Sequence, residues 1–328
     1  MKVVITDTAE PMNRDLTYEK DLLKSHLGDS IQIVSYIYEG DRDELKEVIK
    51  DADGIVTSYL PFDSELLEYC DNLKIISIEA TGYNNVDIET AKRLGISVAV
   101  IGEYCTEEVS DYVILAAMTM NKQLKYYINQ SDQEHQFDFK VPRKVNRLSQ
   151  SIFGIMGLGK IGSEVARKAQ AFGMKVIAFS TPHAKERAKK LGVTLVSLDE
   201  LLAQSDFIAL TMRLTDGNRN ILNENTFKKM IKQPIIINIA RGAMISEPAL
   251  LDALQKGTVR GAALDVLIDE SPEGLNKSPL VGRDDVLITP HAAFNSDQSL
   301  LDCERLAIEN LYYCLLDQKH KMFRLVTK

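Results

Sequence analysis

The stretch Phe153-Gly154-Ile155-Met156-Gly157-Leu158-Gly159-Lys160-Ile161-Gly162 constrains this 328-residue chain more than any other. The apolar run Ile152 to Met156 predicts a buried strand, and the amphipathic run Ser163 to Phe172 predicts a helix. Between them stand three glycines at G-x-G-x-x-G spacing. Strand, glycine turn and helix in that order make a physical case for dinucleotide binding. Gly157 permits the tight turn, Gly159 lets the backbone approach a pyrophosphate, and Gly162 allows the helix to pack closely on the strand. The first N–H groups of the helix, around Lys160 and Ile161, then face the phosphates with the positive end of the helix dipole.

The turn lies in mid-chain, so it opens a second domain rather than the first. Before it, strands are expected at Val3–Thr6, Ile31–Tyr36, Gly54–Thr57, Ile75–Glu79 and Ser97–Val100. Helices are expected at Glu19–His26, Arg42–Asp51, Ser64–Tyr69 and Ile88–Leu94, and such alternation predicts a parallel sheet covered on both faces. Glu107–Lys122 carries a long apolar stripe and reads as a connecting helix, whereas Gln130–Gln150 is polar and irregular. After the turn, strands are expected at Lys175–Phe179, Phe207–Leu210, Ile235–Asn238, Gly261–Asp265 and Val286–Thr289. Helices are expected at Leu198–Gln204, Asn223–Met230 and Glu247–Lys256, the first opened by the capping-box sequence Ser197-Leu198-Asp199-Glu200. A long amphipathic helix from Asp297 to Asp317 returns to complete the first domain.

Charge and length limit the partners. A net charge of -8, with no block of Lys and Arg, argues against nucleic acid. No apolar run approaches the roughly 18–20 residues of a membrane span, and Met1 to Asp7 reads as a core strand rather than a signal peptide, so a cytoplasmic location is expected. Cys70, Cys105, Cys303 and Cys314 show no spacing that would hold a metal or a disulfide framework. An anionic substrate would therefore need a local cation, because the overall field does not attract it.

Such a cation stands at the end of one expected strand, in Asn238-Ile239-Ala240-Arg241-Gly242. An aspartate ends the next, in Leu264-Asp265-Val266. Glu270 follows in an acidic loop, and Thr289-Pro290-His291 places a histidine beyond the last strand. Open α/β sheets bind ligands at this edge. Taken one by one these are ordinary surface residues; together they supply a carboxylate-binding cation, a proton donor and that donor's orienting partner.

With Ala80-Thr81-Gly82-Tyr83-Asn84-Asn85-Val86-Asp87 and Tyr104-Cys105-Thr106-Glu107-Glu108-Val109, these motifs resemble those of the D-isomer-specific 2-hydroxyacid dehydrogenases over nearly the whole chain. The resemblance implies an α/β fold of two Rossmann-like or flavodoxin-like domains with parallel sheets. Residues 1–101 plus 298–328 would form the substrate domain, and residues 102–297 an inserted dinucleotide domain, with a substrate cleft between them. It implies an oxidoreductase acting on a 2-keto or 2-hydroxy acid with NAD or NADP. Arg241 would hold the substrate carboxylate, a task suited to a permanently charged fork. His291 would be the acid/base, and Glu270 would fix its tautomer and favour imidazolium, and with it reduction over oxidation at neutral pH. Thr81 and Gly82 would offer N–H donors to the carboxylate, and Asp265 would contact the nicotinamide carboxamide. Ala240 would line the cofactor site. A homodimer is implied, with Glu107–Lys122 and Gln130–Gln150 as its interface.

The chain also departs from its relatives. NAD-preferring members carry an acid about 20 residues past the glycine turn, where this chain has Ser180, and Lys185 and Arg187 lie near enough in sequence to reach a phosphate. Arg213 replaces a common proline and could pair with a cofactor phosphate. Phe294, three residues after the histidine, is similar to D-lactate dehydrogenases and the C-terminal-binding proteins; it would form an apolar wall for the substrate side chain, helped by Tyr59, or pack between domains. Val100 and Gly102 stand where relatives often have Asn and Pro. Two other readings remain open: a dinucleotide-sensing dimeric interaction protein, similar to the C-terminal-binding proteins, and a relative specialised for formate or phosphite.

Overall fold

The computed structural model describes residues 1–327; Lys328, the last residue of the expected substrate domain, lies outside them. The chain divides into two compact units, Met1–Tyr104 with the segment from Ser296 onward, and Cys105–Asn295.

The first unit is built on strands β1 (Lys2–Asp7), β2 (Gln32–Ile37), β3 (Gly54–Thr57), β4 (Ile75–Ile78) and β5 (Ser97–Val100). All five are parallel, and β3, β4 and β5 are buried along their whole length, which is why their sequences are unbroken apolar runs rather than alternating ones. The helix Asp297–Leu315 lies on this sheet, with Ala307, Ile308 and Leu311 fully buried beside Val3, Ile5 and Ile75. Ser296 and Ser299 form a capping box at its start.

The second unit holds β6 (Ile152–Met156), β7 (Lys175–Phe179), β8 (Thr194–Leu195), β9 (Phe207–Leu210), β10 (Ile235–Asn238), β11 (Gly261–Leu264) and β12 (Val286–Ile288). They form one parallel sheet in the order β12-β11-β10-β9-β6-β7-β8. The strand order reverses between β6 and β9, both neighbours in space and distant in sequence, and the glycine turn follows β6 at this switch point. Apolar cores cover both faces, one of them beneath the helix Thr106–Lys122 and the other beneath Glu247–Gln255.

The structure differs from the expectations in a few places. The last strand, β13 (Arg324–Leu325), joins the first sheet antiparallel to β5, so that sheet is not wholly parallel. Two residues are too few to show a period, and only the return of the chain after Asp297–Leu315 places them. Phe323 covers Gly102, where a Cβ would come within 2.2 Å of the ring. That contact explains why Gly rather than Pro stands at 102, and Val100 is buried in β5 opposite Arg324. The expected irregular stretch from Gln130 begins inside a helix, Leu124–Asp132, set off from Thr106–Lys122 by the left-handed Gln123. The expected helix Asn223–Met230 is a single turn, Glu224–Phe227. The helix expected from Ser163 starts at Lys160, because Gly159 is its N-cap and the turn runs directly into it.

Candidate active site

At the glycine turn, Gly157 has a φ of +104°, a conformation open to glycine and strained for other residues. A Cβ on Gly162 would meet the Gly157 carbonyl oxygen at 2.1 Å, so the helix can approach the strand only without a side chain there. Gly159, by contrast, faces open space, and as N-cap it gives no side chain to the first turn of the helix Lys160–Ala171. The helix therefore begins at the turn with no side-chain cap on its first N–H groups, an arrangement that fits a pyrophosphate. Ser180 follows β7, and its hydroxyl accepts from the Leu158 N–H at 3.1 Å. Arg213 is exposed beyond β9; its guanidinium makes no hydrogen bond or ion pair among the described residues, and its carbonyl accepts from Asn218 Nδ2 at 2.8 Å.

The residues expected for chemistry follow β10, β11 and β12 at the same sheet edge. Asn238, buried at the end of β10, ties the Arg241 loop down: its Oδ1 accepts from the Ala240 N–H at 3.1 Å and its Nδ2 donates to the Arg241 carbonyl at 3.0 Å. Arg241 itself is exposed, with Nη1 donating to the Ala240 carbonyl at 2.7 Å and the rest of the fork making no hydrogen bond or ion pair among the described residues.

Asp265 ends β11 and is 2% exposed. Its Oδ1 accepts from Thr289 Oγ1 at 2.6 Å and the Ala292 N–H at 2.9 Å, and its Oδ2 accepts from the Ala293 N–H at 2.9 Å. Its backbone carbonyl also accepts from the His291 N–H at 2.8 Å. The carboxylate expected at the nicotinamide thus clamps the loop that carries the histidine. Tyr112 continues this network from the helix Thr106–Lys122, its hydroxyl bonded to that of Thr289, and burial pushes the Tyr112 phenol upward. The clamp has a purpose in backbone terms: His291 has a φ of +53°, a left-handed conformation that needs support from its surroundings.

So held, His291 places Nδ1 3.1 Å from Glu270 Oε2. The Glu270 Oε1 accepts in turn from the Leu267 N–H at 3.3 Å. The two side chains are 44% and 46% exposed, so both reach solvent. Beside them opens a cavity of about 290 Å³ whose walls include Leu267, Leu275, Val281, Ile288 and Pro290. Phe294 is half-buried and packs against the core of the second unit.

The remaining expected residues lie in the first unit. Thr81 and Gly82 sit in the loop after β4, and their N–H groups donate to nothing among the described residues. A Cβ on Gly82 would meet no atom within 4 Å. Tyr59 is 63% exposed, with its N–H donating to Asp7 Oδ2 at 2.8 Å.

Sequence reasoning did not single out Asn238, Thr289 or Tyr112 as site residues. Asn238 and Thr289 are polar residues at the ends of apolar strands, a signal that was present. Tyr112 gave none, since it stands on a long helix among apolar neighbours.

The family model for the D-isomer specific 2-hydroxyacid dehydrogenase, NAD binding domain, matches residues 114–293. A hydroxypyruvate reductase of Blautia hydrogenotrophica is 35% identical over 276 residues, covering 83% of this chain and 84% of its own. A glyoxylate reductase of Aeropyrum pernix is 34% identical over 268 residues, covering 80% and 79%. Among solved structures, a D-lactate dehydrogenase of Aquifex aeolicus complexed with NAD and lactic acid superposes with a TM-score of 0.83 at 27% identity, covering 99% of both chains.

Proposed function

The chain belongs to the D-isomer-specific 2-hydroxyacid dehydrogenase family, and on that premise we propose that it reduces a small 2-keto acid to the D-2-hydroxy acid. The observation that carries this reading is the His291–Glu270 pair at 3.1 Å, set on the same sheet edge as Arg241 and the glycine turn. When bound, the reduced nicotinamide supplies a hydride to the carbonyl carbon. His291 gives a proton from Nε2 to the carbonyl oxygen, while Glu270 holds Nδ1 and fixes the tautomer. Arg241 pairs with the substrate carboxylate through the open part of its fork. Asp265, Thr289 and Tyr112 are positioning residues that hold His291 in its left-handed backbone conformation. The N–H groups at the start of the helix Lys160–Ala171 and the exposed Arg213 guanidinium hold the dinucleotide phosphates.

The apolar walls of the cavity beside His291 favour a short aliphatic, branched or aromatic 2-keto acid. A phosphorylated one would need a further cation there. We also assign a homodimer, supported by the exposed apolar residues Leu124, Ile128, Phe137 and Phe139 in the second unit; sedimentation at the mass of one chain would refute that assignment. The substrate reading is tested with a panel of pyruvate, 2-ketoisocaproate, phenylpyruvate, glyoxylate and hydroxypyruvate, each assayed with NADH and NADPH. Turnover of at least one is expected. Inactivity on all five with dinucleotide still bound would instead indicate a nucleotide-sensing interaction protein.

A further inference from the structure

The loops that leave β3 and β4 in the first unit each pass, within two residues, from a buried polar side chain to an exposed one. Ser58 and Glu79 are both 8% exposed, whereas Tyr59 and Thr81 face solvent. The two buried residues are joined to each other, with Ser58 Oγ donating to Glu79 Oε2 at 3.1 Å. Further along, Asn85 Nδ2 donates to the carbonyls of Ser58 at 3.3 Å and Leu60 at 3.1 Å. The segment that carries Thr81 and Gly82 is therefore fastened to the neighbouring loop at both of its ends.

Arg14 completes this frame from a bend between the helices Ala9–Met12 and Thr17–Leu27. Its Nη2 donates to both oxygens of Glu79 at 2.9 Å. Glu19 Oε1 grips the same guanidinium, 2.8 Å from Nη2 and 3.2 Å from Nε, and the Pro11 carbonyl accepts from Nη1 at 3.4 Å. Glu304 Oε1 stands 3.5 Å from Nε. With all three nitrogens engaged inside the protein, Arg14 is a brace rather than a receptor for an anion. A rigid fork suits that task because it fixes an angle as well as a distance. Burying an unpaired carboxylate is costly, so Glu79 keeps its place only while the guanidinium faces it.

Resting on the dehydrogenase reading above, we propose that Arg14, acting through Glu79 and Ser58, is a positioning residue for the substrate carboxylate. It sets the loop whose Thr81 and Gly82 N–H groups receive that carboxylate. The carboxylate does not react, so those N–H groups bind ground state and transition state alike, and loosening their loop raises KM without lowering kcat. Dinucleotide binding belongs to the second unit and is untouched.

The test is steady-state kinetics of the full chain with NADH and the most active of pyruvate, 2-ketoisocaproate, phenylpyruvate, glyoxylate and hydroxypyruvate. The NADH dissociation constant is measured alongside. Arg14→Ala should raise the keto-acid KM about tenfold, as for one charge-assisted hydrogen bond lost, with kcat and the NADH constant unchanged. Arg14→Lys keeps a charge beside Glu79 without the fork and should fall between wild type and Arg14→Ala. Ser58→Ala removes only the link between the loops and should raise KM about threefold; it carries the test alone if Arg14→Ala does not fold. An unchanged KM in these variants, whatever their melting temperatures, would make the frame merely structural and overturn the proposal. A fall in kcat at steady KM would overturn it too, and in both cases wild-type turnover keeps the dehydrogenase reading. No wild-type turnover on any of the five acids would overturn that reading and the proposal together.

Discussion

Both units end their parallel strands in polar residues, but they use those ends in opposite ways. In the first unit, Asp7 ends β1 and turns inward: Oδ2 accepts from Thr57 Oγ1 at 3.0 Å and from the N–H groups of Ser58 and Tyr59 at 2.6 and 2.8 Å. Glu79, just past β4, is held by Arg14 at 2.9 Å and by Ser58 Oγ at 3.1 Å. Arg14 also reaches Glu19 at 2.8 Å and Glu304 at 3.5 Å. Three carboxylates share one guanidinium away from water, so burial pushes Glu79 upward and Glu304 up to about 7. In the second unit, Asp265 is buried in the same way as Asp7, yet what it holds in place is open: His291 and Glu270 face solvent. A parallel sheet gathers polar groups at this edge whatever the chain does. The pair proposed for acid/base chemistry is braced from below and reaches solvent, whereas the carboxylates of the first unit are closed over.

The contrast can be broken most directly at His291. His291→Asn should lower kcat about a thousandfold while leaving the NADH dissociation constant unchanged; near-normal turnover would mean that the exposed pair is not the acid/base.

The next comparison sets Asp265→Ala against Asp7→Ala. Each leaves buried donors without an acceptor, at a cost of about 2–3 kcal/mol in unfolding free energy. Only the first should also cut kcat, by about a hundredfold, because only that aspartate holds the histidine loop. Equal losses of kcat in the two variants would erase the distinction between the two aspartates.

A smaller effect separates the units by pH. The folded chain holds the Glu304 proton more tightly than the unfolded chain, whose value is 4.5, so stability falls as pH rises from there through about 7 and is level above. Wild-type melting temperature should therefore drop by a few degrees across that window, and Glu304→Gln should make the fall shallower, leaving the part due to Glu79, which burial also pushes upward. An unchanged slope in the variant would assign it elsewhere.

Smallest is Tyr112→Phe, which removes one hydroxyl from the network beneath His291. About 1 kcal/mol of stability and a two- to threefold change in kcat are expected, with KM steady. An unchanged kcat would confine Tyr112 to packing.

Much of this was legible along the chain because it is local. The runs expected at Ile75–Glu79 and Ile235–Asn238 carry the mark of strands buried on both faces; the second strand has those bounds and the first ends one residue sooner, at Ile78. Ser197 and Glu200 form the capping box that their spacing implies. What the pattern could not show was short or distant. β13 has too few residues for a period, and the Tyr112–Thr289 bond joins positions 177 apart. Ser180 could be read as a missing acid, but not as a partner of Leu158.

The sequence alone determined that the chain holds a dinucleotide, because the positive φ of Gly157 and the approach of Gly162 to the Gly157 carbonyl are demands set within six residues, with Gly159 leaving open space between them. It also determined which strands end in Arg241, Asp265 and His291. Tertiary structure decided what those ends do. It gave the Asp265 carboxylate to the histidine loop, supported a left-handed His291, and brought Arg187 to the glycine turn. The physical reason is one of range: backbone sterics and burial period act between near neighbours, whereas a hydrogen bond between remote residues exists only after the chain has packed.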